Sequence, residues 1–439
     1  MRPKFNPVLK IALTANTVEW YEFSLTAFMA LEIGRLFFPA SSDKNALMLS
    51  FLVFASSYLA RPFGSLFFGL MGNRRGTGSA LKLSLLGMAI PASLIAFLPT
   101  YQTAGYVATV LLLLLKVLQG FCAGGEAPLS GYYVSFSADS RNRGLYCALA
   151  AGSGLLGMLL ASGTIFALPH VANSLRLADS PFSEYVPDTW RWPFLLCVPL
   201  SILIYLLRSS IAVDRKQETR LTPHARSATP LVQAFILVAF LEIAIYSLFV
   251  WMPSYLRSYL GISSSDARLS NVAALLILFV SMVASGYISR FVDASRLAVA
   301  GIVSLAIGVY PLFYILQQGN FAALVTAQAA FGIMTGCLGG VIFVILPDLF
   351  KHSWGDFGMA VTYSFATALL GGTAPVVCAY LINVTGLLSA PAIYIAASGV
   401  LAAPVAYRVS RANRPPLIDP PARNHAGSLC VSRTGRSSP

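Results

Sequence analysis

The chain has 439 residues, of which 56% are hydrophobic and only 11% charged, and its mean hydropathy is +0.71. A soluble domain carries roughly 25% charged residues, so a soluble enzyme or scaffold is excluded. A net charge of +13 would suit a nucleic-acid binder, but here the cations sit between apolar segments of about 20 residues that recur along the whole chain, the pattern of a helical membrane protein.

Hydropathy predicts twelve membrane helices. The first six cover 9–37, 46–71, 78–98, 104–134, 143–168 and 190–209. The second six cover 230–258, 266–291, 296–316, 320–346, 356–384 and 387–408. Residues 1–209 form an N-terminal half and 230–408 a C-terminal half, joined by a basic linker at 210–229. The tail, 409–439, is rich in Pro, Arg and Ser and reads as disordered. Lys and Arg concentrate in the N-terminus, the even-to-odd loops and the tail, against five in the opposite loops: Lys44, Arg176, Arg191, Arg257 and Arg268. That asymmetry places both termini in the cytoplasm. The six cysteines and four histidines have no metal-ligand spacing, so no metal or other cofactor is expected.

The first helix contains NTVEWYEF, residues 16–23. Glu19 and Glu22 lie three residues apart, on one side of a helix. A carboxylate inside a membrane is expensive and marks a functional site by default; a structural ion pair is the alternative. Between them, Trp20 and Tyr21 offer aromatic faces that attract quaternary ammonium groups.

The second helix ends RPFGSLFFGLMGNRRG, from Arg61 to Gly76. Its small residues permit close helix approach, and Arg61, Gly69, Asn73, Arg74 and Gly76 are candidate gating residues. The fourth helix reads KVLQGFCAGGEAP, residues 116–128. Lys116 and Glu126 stand about 15 Å apart along it and cannot pair, so Lys116 is expected to meet a carboxylate of the first helix. An offset of 216 places Arg74 on Arg290, Gly120 on Gly336 and Gly124 on Gly340, which reads as an internal repeat of six helices. In the second half, Glu242 lies in an apolar run with Tyr246 and Trp251 beyond it, and Tyr363 and Thr373 flank the helix-bending Gly371, Gly372 and Pro375. These five polar or aromatic residues are candidate substrate contacts.

Taken together, NTVEWYEF, RPFGSLFFG, LQGFCAGGE, WRWPFLLCVPLSIL, VWMPSYLRSYLGIS, LPDLF and LLGGTAPVV resemble the metabolite:proton symporter family of the major facilitator superfamily, its proline/betaine-transporter-like branch most closely. The resemblance covers roughly 9–408. It departs from the family pattern at Glu22, where Asp is usual, at Lys116, where Arg is usual, and at Asn73, which replaces the acid of the loop motif.

The resemblance implies an all-α fold of two pseudo-symmetric six-helix halves in the bacterial inner membrane. It implies a monomeric secondary transporter, not an enzyme, that couples uptake of a small polar metabolite such as proline, betaine or an organic acid to the proton gradient by alternating access. Glu19, Glu22, Lys116 and Glu126 are the candidate proton-coupling residues. Trp20, Tyr21, Glu242, Tyr246, Trp251, Tyr363 and Thr373 are the candidate substrate contacts, and Arg290 joins the gating set. Two other readings stay open: a non-transporting sensor on the same scaffold, and proton-driven efflux by antiport.

Overall fold

The computed structural model describes residues 7–39, 42–75, 77–124, 142–174, 189–209, 227–350 and 355–412. Expectations for the linker at 210–226, the tail beyond 412, Gly76 and Glu126 fall outside the described residues. Those described form twelve successive helical passages: α1 (7–37), α2 (43–75), α3 (77–95), α4 (101–123), α5 (143–174), α6 (189–209), α7 (229–258), α8 (264–288), α9 (294–316), α10 (321–350), α11 (355–385) and α12 (390–412).

Nine of the described helices hold an unbroken apolar stretch long enough to cross a membrane. The other passages are α1, which carries Glu19 and Glu22 and breaks at Met29, and the shorter apolar stretches of α3 and α6 (Leu86–Ile95 and Trp192–Leu206). Large apolar side chains face outward along the bundle, among them Phe63, Ile307, Tyr314, Val400 and Leu401. Such a surface suits lipid and would be an aggregation liability in water.

Helix starts follow local chemistry. The Ser263 hydroxyl accepts from the Asp266 amide to open α8, the Asp293 carboxylate from Arg296 to open α9, and the Asn320 amide oxygen from Ala323 to open α10. Gly386, at φ 70°, closes α11 in the left-handed conformation, from which α12 starts four residues later.

Packing is the same in the two halves. In the first, α1 packs on α5, α2 on α4, and α3 on α4 and α6. In the second, α7 packs on α11, α8 on α10, and α9 on α10 and α12. The repeated glycines set some of the closest of these approaches. A Cβ on Gly120 would lie 1.8 Å from the Ser57 carbonyl oxygen, and one on Gly124 would lie 2.1 Å from that of Arg61. Their counterparts Gly336 and Gly340 meet Ser281 and the Met282 carbonyl at 2.5 and 2.1 Å. Small residues thus bring backbones together where lipid offers no hydrophobic drive for association. The halves meet through α5 against α8 and α2 against α11.

Candidate functional site

The residues singled out in the sequence fall into two buried groups. The first lies inside the N-terminal half. Glu22 accepts a hydrogen bond from the Ser201 hydroxyl of α6 at 2.6 Å. Lys116 of α4, fully buried, donates to its neighbour Gln119 at 2.7 Å, and its ammonium lies 5.1 Å from the Phe23 ring centroid. The charges of Glu22 and Lys116 interact, with Cys197 beside them. The hydrogen bond of Lys116 goes to a nearby amide rather than to the expected first-helix carboxylate. Tyr21 belongs to this interior as well: its hydroxyl donates to the Pro193 carbonyl at 2.9 Å.

The second group lies where the halves meet. Arg61, read from the sequence as part of the gating loop, is placed by the structure in the bundle interior. Its guanidinium carbon sits 4.2 Å from the ring centroids of both Phe23 and Tyr58 and 5.7 Å from that of Trp20. Cation–π attraction of this kind is worth about 2 kcal/mol when desolvated. Glu19 of α1 and Glu242 of α7 both act on its charge, so Arg61 answers a carboxylate from each half. Glu19, Arg61 and Glu242 are each only 3% exposed. Tyr246 of α7 donates its hydroxyl proton to the Tyr58 hydroxyl of α2 at 2.7 Å, a direct hydrogen bond between halves. Trp20 lies 6.4 Å from the Tyr246 ring.

Two helical distortions shape this junction. A π-turn at Tyr246–Val250 interrupts α7 and another at Thr367–Gly371 interrupts α11. Such turns concentrate at functional sites. They let α11 come close on both sides. A Cβ on Gly371 would meet Tyr246 and Glu242 at 3.0–3.1 Å, and one on Gly372 would meet the Tyr58 Cβ of the other half at 2.3 Å. Between the halves is a cavity of about 60 Å³, with Asn16, Trp20, Gly154, Glu242, Phe343 and Tyr363 in its wall.

Each end of the junction is closed by charged contacts. At the end where the chain enters, Arg143 of α5 pairs with Asp348 of α10 at 3.0 Å, and Arg290 of α8 donates to Asn142 at 2.7 Å. Gly144 and Gly286 cross there, each too close to the other helix to carry a Cβ. At the far end, one oxygen of Glu32 in α1 accepts from Arg257 of α7 at 2.8 Å and from Arg268 of α8 at 3.0 Å. Arg268 also donates to the Ile165 carbonyl of α5 at 3.3 Å.

Among the expected substrate contacts, Trp20, Glu242 and Tyr363 line the cavity, and Tyr246 stands behind them. Two lie elsewhere. Trp251 is buried against Tyr255 and Tyr259, and Thr373 is half-buried and donates to the Leu369 carbonyl of its own helix. Of the gating set, Arg290 stands at the near end, Gly69, Asn73 and Arg74 lie in the last turns of α2, and the side chains of Asn73 and Arg74 are outside the described residues. Glu32, Asn142, Arg143, Arg257, Arg268 and Asp348 were not singled out in the sequence. The signal was there in part: lone charges at the ends of helices otherwise empty of charge.

This arrangement of two six-helix halves, latched at both ends around a charged cavity, defines a class of membrane transporter. Residues 23–375 match the Major Facilitator Superfamily, and the chain belongs to that family: it is a multi-pass membrane protein with the major facilitator fold. It is 28% identical over 436 residues to the ectoine/proline transporter ProP of Corynebacterium glutamicum, across 94% of this chain and 86% of that one. It is 30% identical to a citrate-proton symporter of Salmonella typhi (88% and 89% covered). It is 25% identical to the proline/betaine transporter of Escherichia coli K12 (89% and 81%). Among solved structures, the E. coli xylose transporter XylE in a partially occluded inward-open form superposes with a TM-score of 0.71 at 16% identity, covering 92% of this chain and 97% of that one.

Proposed function

We propose that this chain is a proton-coupled symporter that carries a small polar metabolite, a zwitterion such as proline or betaine or an organic acid, into a bacterial cell. The observation that carries this reading is the charged junction itself. Glu242 and Trp20 line a cavity between halves that are latched at both ends. Contacts made at both ends at once correspond to the closed stage of an alternating-access cycle. Substrate enters when the Glu32 latch opens and leaves when the Arg143–Asp348 latch opens. The names of the relatives, transporters of ectoine, proline, betaine and citrate, support the substrate class.

In this cycle the end where the chain enters faces the cytoplasm, as the distribution of Lys and Arg suggests. One chain is the transport unit. Trp20, Glu242, Tyr246 and Tyr363 hold the substrate. Glu22 with Lys116, and Glu19 beside Arg61, carry the coupling. A buried carboxylate that loses its cationic partner takes up a proton more readily, and one that regains it releases the proton. Rocking of the halves changes which partner Arg61 faces, so it changes where a proton is held. Asn142 and Arg290 secure the cytoplasmic closure, together with the α2 end around Asn73 and Arg74. The driving force is the proton gradient, with no cofactor.

Uptake of labelled proline, glycine betaine and citrate into proteoliposomes, with and without an inward proton gradient, tests the reading. Accumulation of one of them that collapses with a protonophore is the expected result. Uptake indifferent to both pH gradient and membrane potential would overturn it.

A further inference from the structure

The Arg61 guanidinium is buried to within 3% of its surface, yet its Nε and Nη2 have no hydrogen-bond partner. These two donors form one edge of the guanidinium, the edge whose spacing matches the two oxygens of a carboxylate. The protein itself shows that use. Arg35 holds Asp43 through the same two atoms, Nε to Oδ1 at 2.8 Å and Nη2 to Oδ2 at 2.5 Å. Buried donors are rarely left unsatisfied, and the Arg61 faces are already taken by Phe23, Tyr58 and Trp20. The edge alone remains for a ligand.

Charge balance limits what that ligand can be. Trp20 lies beside Arg61, follows Glu19 in the chain and shares the cavity wall with Glu242, so the region holds one positive and two ionisable negative groups. A zwitterion adds no net charge, and one proton then makes the loaded site neutral. A tricarboxylate would add several negative charges to a region where unpaired charge is costly. Glu242 stands in the cavity wall with the rings of Trp20 and Tyr363, a setting that suits a cationic centre, and Trp20 is also 5.7 Å from the Arg61 guanidinium.

We infer that Arg61 and Glu242 form a bipolar clamp across the two halves: the Nε–Nη2 edge of Arg61 binds the carboxylate of a zwitterionic substrate, and Glu242 binds its ammonium or quaternary nitrogen. The clamp rests on the transport reading above and deepens it, because the substrate itself then ties the N-terminal half to the C-terminal half.

The test is binding to the purified full chain with two isosteric series. Glycine betaine is compared with choline, which has the cation but no carboxylate, and with dimethylbutyrate, its carbon analogue lacking the cation. L-proline is compared with pyrrolidine and cyclopentanecarboxylate in the same way. At least one zwitterion is expected to bind about tenfold more tightly than either isostere, since a charged hydrogen bond is lost in each. Arg61→Gln brings that zwitterion down to the affinity of the bare cation and leaves the cation unchanged. Arg61→Lys, which keeps the charge and loses the fork, falls between. Glu242→Gln brings the zwitterion down to the bare carboxylate.

Binding of neither zwitterion, equal binding of the bare cation, or an Arg61→Gln protein that keeps zwitterion affinity within about twofold overturns the clamp. If Arg61→Gln does not fold, the wild-type series and Arg61→Lys decide by the same comparison. The two readings fail separately. Proton-driven accumulation of citrate with no zwitterion binding leaves symport standing and removes the clamp. A zwitterion bound as expected but carried without regard to the proton gradient keeps the clamp and removes symport.

Discussion

The two buried charge groups differ in who owns their partners. Glu22, Lys116, Gln119 and Ser201 all belong to the N-terminal half, so their hydrogen bonds survive any rigid rotation of one half against the other. Arg61, Glu19, Glu242, Tyr58 and Tyr246 draw on both halves, and the same rotation must rearrange them. The first group is suited to hold a charge through the cycle, the second to register which way the carrier faces. A transporter needs both properties, and here the two groups meet at Phe23, whose ring centroid lies 4.2 Å from the Arg61 guanidinium and 5.1 Å from the Lys116 ammonium.

The sharpest way to break this comparison is at Glu22. Glu22→Gln is expected to reduce proton-driven accumulation by on the order of 100-fold while leaving counterflow exchange of preloaded substrate, because the amide cannot take up and release a proton. Uptake that still follows the pH gradient in this variant removes Glu22 from the coupling. Next in size, Lys116→Met should destabilise the folded protein by about 3 kcal/mol by leaving Glu22 uncompensated, and the double variant Lys116→Met, Glu22→Gln should recover most of it. A double-mutant cycle on thermal unfolding measures that recovery; strictly additive losses would mean the pair is not a unit.

Gly372→Ala acts on the shared group instead. The added Cβ would lie 2.3 Å from the Tyr58 Cβ, so α2 and α11 must separate. Overpacking costs roughly 1–3 kcal/mol, and here it falls on the closed state. Labelling of a cysteine placed at Ala151 in the cavity wall should speed up about tenfold; unchanged labelling would show that the crossing is not a closure point. Tyr246→Phe removes one hydroxyl between halves, worth about 1 kcal/mol, and should shift substrate affinity by no more than about fivefold. The smallest effect belongs to the entry-end latch. Asp348→Asn weakens a partly exposed pair, worth up to about 1 kcal/mol, and should favour cytoplasmic labelling about twofold at low salt and less at high salt.

The sequence was readable where the physics is local. Hydropathy located the twelve passages because every membrane helix must satisfy its backbone internally, whatever it packs against. The glycine spacing of α4 and α10 was legible for the same reason: close approach requires small residues on one face. Glu19, Glu22 and Glu242 stood out because charge in an apolar run is rare.

The rest depended on distance in the chain. The Glu32 latch joins residues 225 and 236 positions apart, and the Arg143–Asp348 pair joins residues 205 apart. Each of these charges, seen alone, resembles an ordinary solvated helix end. Arg61 was assigned by its neighbours in sequence to the loop motif, and the fold gave it to the interior. The π-turns of α7 and α11 had no signature beyond the Gly-Gly pair in α11.

The glycine contacts along α2 have a mechanical consequence. This helix spans Asp43–Arg75 with Pro62 inside it, a length of about 50 Å, and a proline there would ordinarily make a hinge. Gly64 and Gly124 press backbone to backbone on either side of that point: Gly64 against Phe121, Gly124 against Arg61 and Ser65. The splint turns a hinge into a lever. Its upper arm holds Lys44 over the Tyr259 ring, 5.5 Å away in the other half, and its lower arm carries the Asn73–Arg74 turn. In the proposed cycle, a force at Arg61 would reach both mouths with opposite sign, so that one opens as the other shuts with no relay between them.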